Sequence, residues 1–156
     1  MGEKISWITE GNSILFLAIC VVVAALMLLV FAIRKIVRSR PLPMDEMEGH
    51  DFEFYCADLL KSNSFIDVEV TKGSGDFGAD ILAEKDGVTY AFQCKCYDKP
   101  VGVRAVEEVY AGRDYYDKMV GVVMTNQYFT EPAVKMAKKF NIMLWDRDYM
   151  KEMEKE

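Results

Sequence analysis

The residues best suited to chemistry stand in one stretch, residues 73–95 with flanks at Lys72, Cys96 and Tyr97. Asp80 closes a glycine-rich turn and heads an apolar run, and Gln93 and Lys95 lie two apart on the next run. Successive strand side chains point opposite ways, so Gln93 and Lys95 share one face while Cys94 and Cys96 share the other. A carboxylate, a side-chain carbonyl and an ammonium would converge beside Gly73, Gly75 and Gly78, where a phosphate backbone can approach closely. This is the layout of a metal-dependent phosphodiesterase site. Asp80 and the Gln93 carbonyl are hard oxygen donors suited to Mg²⁺, which keeps several waters and takes few protein ligands. Lys95 then serves to stabilise the attacking water or the charge that builds on phosphorus. Asp76, set between glycines, reads as turn chemistry.

The elements that must position these groups follow from pattern. A short turn at Lys85, Asp86 and Gly87 predicts an antiparallel hairpin of residues 81–84 and 88–96. Residues 47–62 carry Phe52, Cys56, Leu59 and Leu60 at helical spacing, with Glu53 beside that stripe. Residues 65–71 alternate Ile66, Val68 and Val70 with polar partners, the pattern of an outer strand. Pro100 opens a helix whose buried stripe is Val103, Val106, Val109 and Tyr110, ending near Lys118. The apolar run of residues 120–125 predicts a buried strand. Thr130 caps a further helix with Pro132 in its first turn, and residues 142–145 form a last strand before a charged tail. The order α, β, β, β, α, β, α, β predicts an α/β sandwich around a central mixed sheet. Tyr97, Tyr115, Tyr116, Tyr128 and Phe129 read as cover for that sheet.

With these residues in view the chain resembles the PD-(D/E)xK nuclease superfamily, and within it the Mrr-like catalytic domain of type IV restriction endonucleases. The resemblance is carried by Phe52-Glu53, by Gly75-Asp76-Phe77-Gly78-Ala79-Asp80, and by Gln93-Cys94-Lys95-Cys96-Tyr97. It continues through Val101-Gly102, Thr125-Asn126, Phe129-Thr130 and Leu144-Trp145-Asp146-Arg147. It implies a restriction-endonuclease-like fold and a DNA endonuclease dependent on Mg²⁺ or Mn²⁺, acting in restriction of foreign or modified DNA. Glu53, Asp80 and Gln93 are implied as metal ligands and, with Lys95, as the catalytic set. Gln93 departs from the two-acid pattern, and Glu53 supplies the second carboxylate. A homodimer is implied for double-strand cleavage, since one site cuts one strand.

Charge complicates this. Beyond Arg40 there are 14 bases and 23 acids, a net of −9. Phosphate neutralisation supplies most non-specific DNA affinity, so contacts must come from a local lip, for which Lys72, Ser74, Lys99, Arg104 and Arg113 are candidates. The same balance keeps open a catalytically quiet nucleic-acid-binding or assembly module on the nuclease fold. The four cysteines read as reduced, small apolar residues.

Residues 13–33 contain no charge, and about 20 helical residues cross a bilayer core. They predict one transmembrane helix. Arg34, Lys35, Arg38 and Arg40 follow at once, so the positive-inside rule puts the C-terminal side in the cytoplasm. The expected organisation is a transmembrane helix (13–33), a basic juxtamembrane linker (34–46), a nuclease domain (47–150) and a charged tail (151–156), at the cell membrane.

Overall fold

Asp86 and Gly87 both take left-handed φ values, +53° and +76°, as a two-residue I′ hairpin turn requires. They join β2 (Ile81–Lys85) to β3 (Val88–Lys95), paired antiparallel from Ile81 opposite Phe92 to Lys85 opposite Val88. This hairpin is the centre of a computed structural model that describes residues 19–31, 44–72, 75 and 77–155. The chain divides into two compact units, Met1–Pro41 and Leu42–Glu156.

In the first unit residues 19–31 form a helix, α1. Among the described residues no helix is long and apolar enough to cross a membrane. The predicted transmembrane helix, and the cell-membrane localisation that rested on it, are therefore corrected. Residues 13–18 and 32–33, the bases Arg34, Lys35, Arg38 and Arg40, and most of the predicted linker lie outside the described residues.

The second unit runs α2 (Gly49–Ser62), β1 (Ile66–Val70), β2, β3, α3 (Val103–Tyr115), β4 (Val120–Thr125), α4 (Glu131–Phe140), β5 (Ile142–Trp145) and α5 (Arg147–Met153). The strands form one sheet in the order β1-β2-β3-β4-β5. The first three are antiparallel neighbours and the last three parallel ones. Strand alternation sends Phe92 and Cys94 into a core with Phe52, Cys56 and Leu60 of α2, Trp145, and Met150 of α5. On the other face Val123 and Ile142 pack with Val106 and Val109 of α3 and Ala133 and Ala137 of α4. The result is an α/β sandwich with a five-stranded mixed sheet.

Two elements differ from the sequence pattern. Asp67 takes φ +50° beside a register shift in β1, so the alternation breaks there and Ile66 turns outward, 57% exposed. The predicted charged tail is instead helical to Met153: Asp146 caps α5 by accepting from the Asp148 and Tyr149 amides, both at 3.1 Å. Met150 and Met153 anchor it in the core.

The lead-in segment before α2 is tied to the same end of the sheet. Arg147 Nη1 donates to Asp45 Oδ1 at 2.6 Å and Nη2 to Oδ2, and Cys96 Sγ donates to Met44 O (3.4 Å) and Met47 O (3.2 Å). The hydrogen bond from Arg147 holds the Asp45 carboxyl below its ordinary pKa of 3.8, against the cost of its desolvation. A depressed carboxylate contributes stability above its unfolded pKa that is lost as pH falls through the folded value. Arg147→Ala should therefore lower stability at pH 7, by roughly 1 kcal/mol or less for so exposed a pair. The difference from the parent should shrink below about pH 4 in a thermal-melt series. A gap unchanged at pH 3 would remove the clasp.

Candidate active site

Asp80 sits at the junction of three strands. Its amide donates to Phe92 O at 2.7 Å, and its carbonyl accepts from the Thr71 amide at 2.8 Å. The backbone is thus pinned toward both neighbours, and the side chain is buried at 6% exposure. Carboxylate Oδ2 accepts from Cys94 N at 2.6 Å and, in a very short contact, from Gln93 Nε2. Gln93 is equally buried. Two residues on, Lys95 reaches the same side, as alternation requires.

The loop before Asp80 is placed by bare backbone. Gly78 has φ +93°, and a Cβ there would lie 2.1 Å from the Glu108 carbonyl oxygen of α3. A Cβ on Gly112, one turn further along α3, would lie 2.6 Å from the Gly78 carbonyl carbon. Two glycines facing each other let α3 touch the loop, and this brings Glu108 to Lys95. Glu108 Oε2 lies 2.8 Å from Lys95 Nζ. The two form a close, partly buried ion pair. Glu108 Oε1 also accepts from Arg104 Nε at 3.0 Å.

Burial is the largest influence on the Lys95 ammonium and pulls its pKa down. The adjoining Glu108 carboxylate outweighs it, with help from Asp80 and Tyr97, and the net position is above the ordinary 10.5. Lys95 is therefore a cation at neutral pH and is not suited to act as a general base. Cys94, on the opposite strand face, is pushed well above the ordinary thiol range by its side-chain hydrogen bond with Cys56 and by burial. It stays a neutral thiol.

A cleft of about 360 Å³ gathers Glu53, Asp80, Gln93, Lys95 and Glu108, with Gly49 and Gly78 at its walls. Glu53 enters from α2, its Oε2 3.0 Å from His50 Nδ1. Thr125 and Asn126 brace the floor. Thr125 Oγ1 donates to Lys95 O at 2.7 Å, and the Asn126 amide accepts from Tyr97 N (2.9 Å) and donates to Tyr97 O (3.1 Å).

The other sequence candidates are scattered. Arg104 is at the cleft edge, engaged with Glu108. Arg113 is committed elsewhere, to Asp114 (2.8 Å), to Phe140 O (3.3 Å) and over the Tyr110 ring. Lys72 and Lys99 are exposed, and Ser74 and Asp76 lie outside the described residues. Sequence reasoning missed Glu108 and Gly112. Their signal was an acid and a glycine in register with Ala105 and Val109 on the inward stripe of α3, where neither is needed for helix formation.

Residues 44–153 match the family model Mrr_cat, described as Restriction endonuclease. The chain belongs to the Mrr_cat restriction endonuclease family. Its fold is shared with two solved structures. A protein of unknown function, AF1548, is 26% identical with a TM-score of 0.53, covering 62% of this chain and 57% of that one. The DNA modification-dependent restriction endonuclease AspBHI is 18% identical with a TM-score of 0.51, covering 65% of this chain and 30% of that one. This Mrr_cat chain thus spans little more than half of the first and under a third of the second. No curated protein matches it.

Proposed function

We propose that this Mrr_cat domain hydrolyses phosphodiester bonds of DNA with a divalent cation, Mg²⁺ or Mn²⁺, in restriction of foreign or modified DNA. The observation that carries the reading is the convergence of Asp80, Gln93, Lys95 and Glu53 on one cleft. The donor set suits a hard cation that retains much of its water. Glu53, Asp80 and the Gln93 amide oxygen would be its protein ligands, few enough to leave it several waters. Gln93 would have to turn its amide, since Nε2 now faces Asp80. A bound cation supplies Lewis acidity and charge neutralisation at phosphorus. Lys95 supplies a fixed positive charge beside the phosphoryl oxygens, and Glu108 holds it in place. Double-strand cleavage would call for two copies of the site and hence a homodimer.

A second reading, a catalytically quiet nucleic-acid-binding module, is favoured by the net −9 beyond Arg40 and by the engagement of Arg104 and Arg113 with acids. Nicking of supercoiled plasmid by the full chain in Mg²⁺ separates the two. Lys95→Ala should spare metal binding and slow nicking by ~10² or more, as when one preorganised charge-stabilising donor is lost. Equal nicking by parent and variant would remove the enzyme reading.

A further inference from the structure

Two large aromatic rings, one of them on the residue before the cleft-lining Gly78, face solvent instead of covering the sheet. Phe77 is 53% and Tyr115 56% exposed, and their rings stack with centroids 3.8 Å apart and planes 16° from parallel. Tyr116 braces the pair edge-on, its centroid 4.9 Å from that of Tyr115. Phe77 holds a left-handed φ of +51°, a conformation that costs an L-residue free energy and is normally left to glycine or asparagine. Burial does not compensate for it. The next residue, Gly78, lines the cleft and is locked to α3 through Glu108 and Gly112, so the backbone of Phe77 is held one residue from the cleft wall.

The geometry points to Phe77 and Tyr115 as a stacking platform for an unpaired or unstacked nucleobase next to the scissile phosphate, an assignment that rests on the nuclease reading above. The occupant follows from what else is available there. Arg104 and Arg113 are engaged with acids and the surrounding unit is acidic, so this flank offers little to a phosphate. Of the parts of DNA, only a base presents a face that stacks on a ring, and such stacking is indifferent to sequence. A base in an intact duplex is not accessible in this way. The platform therefore selects DNA that is single-stranded, mismatched or opened at one step, where the unstacking cost is reduced.

The test measures binding of fluorescein-labelled oligonucleotides by the full chain in the Lys95→Ala background, where turnover is slowed. Matched duplex, a duplex with one mismatch, and single strand are compared over a range of salt. The parent should prefer the mismatched and single-stranded probes. Tyr115→Ala and Phe77→Asn, the latter keeping a residue tolerant of left-handed φ, should each weaken those probes roughly ten- to a hundredfold. The slope of log affinity against log salt should not change, because no phosphate contact is removed. Unchanged affinities, no preference in the parent, a reduced salt slope, or no binding of any probe each overturns the assignment. Plasmid nicking that depends on Lys95 but shows the parent KM in both ring variants overturns the platform alone. Probe preference without any nicking leaves the platform and overturns the nuclease.

Discussion

Asp80→Ala should abolish DNA cleavage and divalent-cation binding together, the largest functional loss expected from one substitution in this chain. The carboxylate is the one buried acid in the cleft whose backbone is pinned on both sides, by Phe92 O and the Thr71 amide. It is also the acceptor for two buried donors, Gln93 Nε2 and Cys94 N. Removing it leaves both unsatisfied, at about 1–3 kcal/mol each, so the alanine variant will also melt earlier. Asp80→Asn controls for this because its side-chain oxygen can still accept from one of them. The asparagine variant should keep a cooperative melt near the parent yet show no Mg²⁺ uptake by calorimetry and no nicking above background. Parent-like Mg²⁺ affinity in either variant would place the active site elsewhere.

Gly112→Ala should be strongly destabilising although helix propensity alone favours the change by about 1 kcal/mol. The added methyl would meet the Gly78 carbonyl carbon at 2.6 Å, its oxygen at 2.7 Å and the Ala79 amide at 2.8 Å. All three are backbone atoms and cannot turn aside like a flexible side chain. Overpacking of this kind costs roughly 3 kcal/mol or more, a drop in melting temperature on the order of 10 °C for a domain of this size. Cleavage should fall even below the melt, because the displaced loop carries Asp80. Gly49→Ala, where nothing lies within 4 Å of an added Cβ, is the control and should melt at or slightly above the parent. A parent-like melt for Gly112→Ala would mean that α3 and the loop do not touch.

What the sequence makes legible is local. The hairpin follows from alternation and an Asp-Gly turn, and it alone fixes Asp80, Gln93 and Lys95 relative to one another. The place of Glu53 beside the α2 stripe left its role open, and only the family resemblance singled it out. Glu108 was not legible, because its approach to Lys95 depends on where α3 crosses the sheet, and two glycines separated by thirty-odd residues decide that. The short helix α5 was hidden in a run of lysines and acids, since only Met150 and Met153 mark its buried side. Tyr97, Tyr115 and Tyr128 were expected to cover the sheet, yet they are 46%, 56% and 46% exposed, because aliphatic residues of α3 and α4 already fill that layer. The membrane expectation was drawn from a count of uncharged residues alone, and among the described residues no helix is long and apolar enough to cross a membrane.

The clasp between Asp45 and Arg147 has two companions that tie α2 and the residue that follows it to the far end of the domain. Tyr55 Oη donates to Glu154 Oε1 at 2.5 Å, and Asn63 Nδ2 donates to Met153 O at 3.0 Å. Each closes a loop of ninety residues or more, and such contacts form late because their loop entropy must be met first. A chain still on the ribosome can close the hairpin that bears Asp80, Gln93 and Lys95 long before residues 147–154 emerge. The helix that delivers Glu53 packs on that hairpin through Phe52, Cys56 and Leu60, and it gains these three ties only when residues 147–154 are present. Local pairing thus sets three of the four residues, and the seating of the fourth is reinforced by ties that span most of the domain.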